Sequence, residues 1–402
     1  MGAMDIINSR APGLGRWAAV AAAGLLALAL AGCGATSTTG GGGGKAPLVI
    51  GFGSPLTGAE ATYGVSDLHA IQMAVAQVNA AGGANGHRIK LVTCDTKADP
   101  ATGVSCAHLF VSQNVNAVIG FFNSTISIPD SAILHAAGIP MVTGASTNPK
   151  LTQQGFKNVF RVCGTDNFQG LVEAEYAYNV LHAKTAVAIN DEETYGEGVT
   201  QYFIQNFKRL GGRILSAQGV SASATDFSAV LTQIKGMHPA VIQFGGFNPA
   251  AGLLVKQARE LGITAPFISD DGTIGPLFFQ TGGVATVGSY LSSEPAPQDL
   301  PTSHAFVSAY VSRYGNQPTE FAGYNYDALN VIVQAVRADG GSVAPAAIIR
   351  GLASIHSYHG ITGLINFDSV GNNVTPQYLI YQVQPGGGNK VVWNPNAKAS
   401  AS

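Results

Sequence analysis

Ser124, Thr125, Ser146 and Thr147 are the residues of this 402-residue chain whose types and spacing could do chemistry. They fall in residues 117–147, AVIGFFNSTISIPDSAILHAAGIPMVTGAST, where an apolar run twice leads straight into small hydroxyl side chains. Hydroxyls and backbone N–H groups just beyond the carboxyl ends of parallel strands hold small anions, because open α/β folds place their ligands there and a helix start presents free donors and a positive dipole end. The pattern describes half a cradle for a small carboxylate. Ser and Thr at such turns also serve as plain helix N-caps, and each turn alone leaves both readings open.

Other candidate chemistries lack partners. No Gly-x-Ser-x-Gly elbow occurs. His356-Ser357-Tyr358-His359 has the right residue type for a metal but no His-Glu-x-x-His pattern and no nearby ligand, so it reads as a solvated loop. Asp191-Glu192-Glu193 reads as adjacent loop carboxylates facing water. Gly44-Lys45 fails as a phosphate loop, since Ala46 stands where Ser or Thr is needed. The chain is expected to be no enzyme and to carry no cofactor and no metal.

The elements that must position the hydroxyls alternate regularly. Strands at 48–53, 88–94, 117–122 and 140–143 are separated by helices at 65–81, 100–113 and 127–137, with Tyr63 in a loop before the first helix; Ile71, Ala74, Val75 and Val78 give that helix its apolar stripe. Pro100 suits a first helical turn. A second alternating unit follows: helix 167–181, strand 185–190, helix 197–210, strand 213–218, helix 227–236, strand 240–245, helix 249–262 and strand 266–269. Such alternation predicts α/β architecture, with two doubly wound parallel-sheet lobes.

Composition narrows the class. Hydrophobic residues make up 46% and charged residues 11%, against about 25% charged in ordinary soluble domains. A net charge of −2 gives no reason to expect nucleic acid as a partner. Residues 1–33 read as a signal peptide: Arg10 and Arg16 precede an apolar stretch at 17–30, shorter than the roughly 20 residues that span a bilayer. It ends in Leu30-Ala31-Gly32-Cys33, which resembles a bacterial lipobox and makes Cys33 the expected lipidation site; an ordinary signal peptide with an incidental cysteine is the alternative. Residues 34–46, rich in Gly, Ser and Thr, form a flexible tether, and residues 395–402 a disordered tail. Of Cys94, Cys106 and Cys163, the first two are the candidate disulfide, one ending a strand and the other in the next helix. Free buried thiols remain the alternative.

Residues 53–64 (GSPLTGAEATYG), 95–100, 118–129 and 141–152, Tyr195-Gly196-Glu197-Gly198, Phe244-Gly245-Gly246-Phe247 and Asp270-Asp271-Gly272 recur in this order in a known family. Over 48–384 the chain resembles the solute-binding proteins of branched-chain amino acid ABC importers, the leucine/isoleucine/valine-binding type. The resemblance implies the type I periplasmic-binding-protein fold, with three crossovers near Gly164, Glu294 and Thr375. One lobe would hold residues 47–164 and 295–374, with helices near 303–314 and 322–338. The other would hold 165–294 and 375–394, with final strands at 378–383 and 390–393.

By the same resemblance a cleft grips an amino acid. Ser124, Ala145 and Thr147 match positions that hold the α-carboxylate and α-ammonium in the first lobe, through hydroxyls and backbone groups, and Asp271, Glu in the leucine-binding relative, matches the acidic partner of the α-ammonium. Chemistry agrees, since a desolvated ammonium wants a carboxylate; Asp271-Gly272 would alone read as a turn. Tyr63, Phe122 and Phe247 would wall a side-chain pocket, Tyr195 would hydrogen-bond to or close over the ligand, and Asn123 completes the matched set. Departures concern the side chain: Phe247 replaces a tyrosine, and the relative's cysteine pair would fall at Ala98 and Asn123. The implied protein is a monomer, lipid-anchored on the outer face of the cytoplasmic membrane, serving an ABC permease and its ATPase. Alternatives are an amide, urea-like or small aromatic acid as ligand, or a sensory ligand-binding module.

Overall fold

The structure, a computed structural model, describes residues 45–395. The expected signal peptide with Cys33, residues 34–44 of the expected tether and residues 396–402 of the expected tail lie outside the described residues.

The first sheet is parallel throughout, in the order β2-β1-β3-β4-β5: β1 (Leu48–Ser54), β2 (Ile89–Asp95), β3 (Ala117–Gly120), β4 (Met141–Thr143) and β5 (Val159–Arg161). β3 is buried along its whole length, as a continuous apolar run covered on both faces requires. Its connecting helices are α1 (Ala61–Ala80), α2 (Pro100–Ser112), α3 (Ser124–Ala136) and the short α4 (Lys150–Gln153). α2 begins where Asp99 accepts the Thr102 N–H at 2.7 Å and Pro100 fills the first turn, both favourable there. Two helices start earlier than the pattern suggests. Tyr63 lies inside α1 rather than in a loop, and α3 begins at Ser124 rather than 127. Apolar periodicity fades at both starts because the leading residues face the cleft and not the core.

The second unit runs α5 (Asp166–Glu175), β6 (Thr185–Asn190), α6 (Thr194–Arg209), β7 (Arg213–Gly219), α7 (Ser228–Met237), β8 (Val241–Gly245), α8 (Ala250–Glu260), β9 (Phe267–Ser269), α9 (Pro276–Gly282) and β10 (Tyr290–Ser293). The chain then returns to the first lobe with α10 (His304–Tyr314), α11 (Glu320–Ala338), α12 (Pro345–Ala353) and the hairpin β11 (Tyr358–Gly360) and β12 (Gly363–Ile365). Leu329 and Ile332 of α11 join Ile71 of α1 and Ile50 of β1 in one core. Finally β13 (Leu379–Val383) and β14 (Asn389–Trp393) complete a second sheet in the order β14-β13-β10-β9-β8-β6-β7. That sheet is parallel except for β13 and β14, an antiparallel pair laid on the edge strand β10.

Its three passages between lobes lie side by side. The Gly164 N–H, just after β5, donates to the Glu294 carboxylate, just after β10, at 2.9 Å. Asn373, on the third passage, donates to the Val162 carbonyl at 3.0 Å. Chain segments that change lobe are thus bonded to one another, as a hinge of few residues needs. Cys94 of β2 and Cys106 of α2 form a disulfide with Cα atoms 5.6 Å apart, and Cys163 is a buried free thiol.

Candidate functional site

Both lobes end their strands toward a common crevice. β3 delivers Phe122 and Ser124, β4 delivers Ala145 and Thr147, α6 brings Tyr195, and the loops after β8 and β9 bring Phe247 and Asp271. Together with Phe321 these residues line one small cavity. About 10 Å³ remains for the centre of a water-sized sphere, roughly one water, so anything larger enters only when the walls part.

The first-lobe wall is a set of donors. Ser124 is the first residue of α3, with Asn123 at the cap position making no side-chain capping bond; its hydroxyl instead accepts the Asn148 N–H at 3.2 Å. This removes the plain N-cap alternative for Ser124. Thr147 is 1% exposed and its hydroxyl makes no close hydrogen bond, although it lies near enough to the Asp166 carboxyl to favour its charged form; a buried hydroxyl without a close partner is costly. Arg161, 0% exposed, shapes this wall by donating to the Ser146 and Asn148 carbonyls at 2.9 and 3.1 Å, which fixes the turn carrying Thr147.

The second-lobe wall is acidic. Asp271 is 2% exposed; Oδ1 accepts the Tyr195 hydroxyl, and Oδ2 has no partner. Burial pushes its carboxyl up to about 7, against hydrogen bonds from Tyr195 and Gln169 that favour the charged form. Burial likewise pushes the neighbouring Asp166 up to about 7, and Asp270 and Glu173 well above the carboxylate range. Among the described residues the one ion pair is Arg350–Asp339, remote from the crevice, so Asp271 has no cation of its own.

Two expected wall residues stand back from the cavity. Tyr63 stacks on Phe122 with ring centroids 5.5 Å apart, and its hydroxyl reaches across to the Ile274 carbonyl. Asn123 faces an adjoining cavity instead. The reading of Asp191 as solvated is corrected: it is 1% exposed, and its carboxylate caps the loops by accepting the Glu193 and Phe247 N–H groups at 3.0 Å each. Gly246, at φ +145, passes so close that a Cβ there would lie 2.3 Å from Asp191 Cγ. His356 and His359 are exposed, His359 within β11. Phe321, at the start of α11, was missed because nothing local distinguishes it from a core aromatic; Arg161 was missed because one charge in an apolar strand gives no hint of its partners.

Rim contacts hold the lobes together. The Thr125 hydroxyl donates to Glu193 at 2.7 Å and accepts the Thr194 N–H at 3.2 Å, and the Asn148 amide donates to the Thr194 carbonyl at 2.8 Å.

A family model described as periplasmic binding protein matches residues 47–389. The chain belongs to the periplasmic binding protein family. Among its relatives is a Leu/Ile/Val-binding protein homolog of Brucella abortus, 32% identical over 86% of this chain and 92% of that one. Two solved structures are similar. A leucine-binding protein from Thermotoga maritima is 30% identical with a TM-score of 0.81, covering 87% of this chain and 99% of its own. The branched-chain amino acid transporter substrate-binding protein of Streptococcus pneumoniae, in complex with isoleucine, is 30% identical with a TM-score of 0.79, covering 86% and 99%. Periplasmic binding proteins are extracytoplasmic and bind solutes, and this member's type I fold places its crevice where the strand ends of both lobes meet.

Proposed function

We propose that this periplasmic binding protein captures an amino acid in the crevice by hinge closure and delivers it to an ABC permease driven by its ATPase. One observation carries the reading: Thr147, whose buried hydroxyl makes no close hydrogen bond, on one wall and Asp271, whose Oδ2 lacks one, on the other, border the same cavity. A zwitterion supplies what both lack. Its carboxylate accepts from Thr147, Ser124 and the leading N–H groups of α3, while its ammonium, with three donors, pairs with Asp271. Ala145 gives the carboxylate a close approach to backbone, and Phe122, Phe247 and Phe321 exclude water, which strengthens each charge contact. The names of relatives that bind leucine, isoleucine and valine support an amino acid as cargo.

A thermal-shift screen of the twenty amino acids tests it. A ligand at 100 times its dissociation constant adds about 2.7 kcal/mol of stability; a flat response to every amino acid refutes the reading. Leu30-Ala31-Gly32-Cys33 supports a lipid anchor on the outer face of the cytoplasmic membrane. Partitioning of the wild type into detergent, abolished in Cys33→Ser, is the expected result, and equal partitioning of both rules the anchor out.

A further inference from the structure

Beside the inner cavity lies a second one, with about 330 Å³ for water-sized centres, that shares Phe247 with it. Glu60, Asn123, Asp191, Glu193 and Asn248 line this space, and its lining holds no Lys, Arg or His. Asn123 is 7% exposed; its amide nitrogen donates to Glu60 Oε2 at 2.7 Å, leaving Oδ1 buried and unpartnered. Asn248 is 4% exposed; its nitrogen donates to the Thr273 carbonyl at 2.7 Å, and its Oδ1 is also unpartnered. The Thr273 carbonyl, which can only accept, fixes the Asn248 amide, and Glu60, whose carboxyl burial pushes up to about 7, fixes the Asn123 amide in its charged form. The space therefore offers two orphaned carbonyl oxygens beside three carboxyl groups that already accept one or two bonds each, Glu60 from Asn123, Asp191 from two backbone N–H groups and Glu193 from Thr125, with no Lys, Arg or His among them. Among the described residues no cluster of His, Cys, Asp or Glu could hold a metal ion, so a charged occupant of this space would be an organic cation.

We infer that the second cavity receives the cationic end of the ligand's side chain, which makes the cargo an amino acid carrying a guanidinium or a second ammonium. The inference rests on the amino-acid reading. With the head group between Thr147 and Asp271, a side chain passing Phe247 arrives among these acceptors. A guanidinium has five N–H donors and an ammonium three, enough to satisfy Asn123, Asn248 and Glu60 together. An aliphatic side chain reaches the same space with nothing to give.

Calorimetry at neutral pH with arginine, lysine, ornithine, leucine and glutamine decides it. The expected result is that arginine or lysine binds at least tenfold more tightly than leucine and glutamine, and that Glu60→Gln and Asn123→Leu each lower the ratio of cationic to leucine affinity by tenfold or more. Leucine or glutamine binding as tightly as every cationic amino acid overturns the inference while leaving the amino-acid reading in place. Binding of none of the five, together with a flat thermal screen, removes both. A cationic preference that survives in both variants overturns the placement in this cavity. Melting curves of the ligand-free variants identify any that fail to fold, and the wild-type comparison stands without them.

Discussion

The two walls of the crevice are built from opposite materials. In the first lobe, strand ends lead into hydroxyls and a helix start, and the one buried cation nearby, Arg161, is spent on backbone carbonyls. In the second, strand ends lead into Asp191, Asp270 and Asp271, each at most 2% exposed. Donors thus gather on one wall and acceptors on the other, with a few cross-lobe hydrogen bonds at the rim. Neither wall is satisfied alone. That imbalance is why a molecule with separate positive and negative ends suits the crevice better than a simple anion or cation.

The contrast breaks most severely if the donor wall loses its support. Arg161→Met strips the Ser146 and Asn148 carbonyls of their partner at about 1–3 kcal/mol each, so chemical denaturation should show a loss of roughly 2–6 kcal/mol. An unchanged midpoint would mean the turn holds itself. Next comes the acceptor wall. Removing one member of a buried charge pair costs about 2–5 kcal/mol, so Asp271→Ala should weaken binding of whichever amino acid the screen identifies by roughly 30-fold or more at 1.4 kcal/mol per tenfold. Calorimetry showing wild-type affinity would take Asp271 out of the site.

Acidity gives a gentler test of the same wall. Folded, ligand-free Asp271 titrates at about 7 against 3.8 unexposed to the fold, so the native state keeps a proton that the unfolded chain has lost between those values. Ligand-free stability should therefore fall as pH rises from about 4 to 7, with Asp166 and Asp191, also pushed up to about 7, adding to the slope. An ammonium needs the charged form. Binding should then release a proton below pH 7, and affinity should drop as pH falls, by at most about tenfold per unit. Calorimetry in buffers of different ionisation heat reads the proton directly, and no buffer dependence at pH 6 would contradict the pairing.

Much of this was legible in the chain. Alternating apolar strands and helices, Pro100 and the small residues after 122 and 143 announced two α/β lobes, because local signals and packing demand coincide there. β10, α12 and the β11–β12 hairpin escaped: each is short and settled by what packs on it. At the site, Ser124, Ala145, Thr147, Tyr195, Phe122, Phe247 and Asp271, each legible in the chain, line one cavity. Phe321 and Glu60 did not announce themselves, since their neighbours across the crevice are distant in sequence. Asp191 misled, because a run of three acids looks like a wet loop until Gly246 closes over it.

Thr125 carries a last consequence. Its hydroxyl spans the mouth with one bond given and one received, yet it lines no part of the inner cavity. On the proposed function, parting the walls would sever both bonds in a single motion, so how long cargo stays aboard would be governed partly by a side chain at the mouth, on the border of the second cavity. A carrier trimmed at that position would unload sooner.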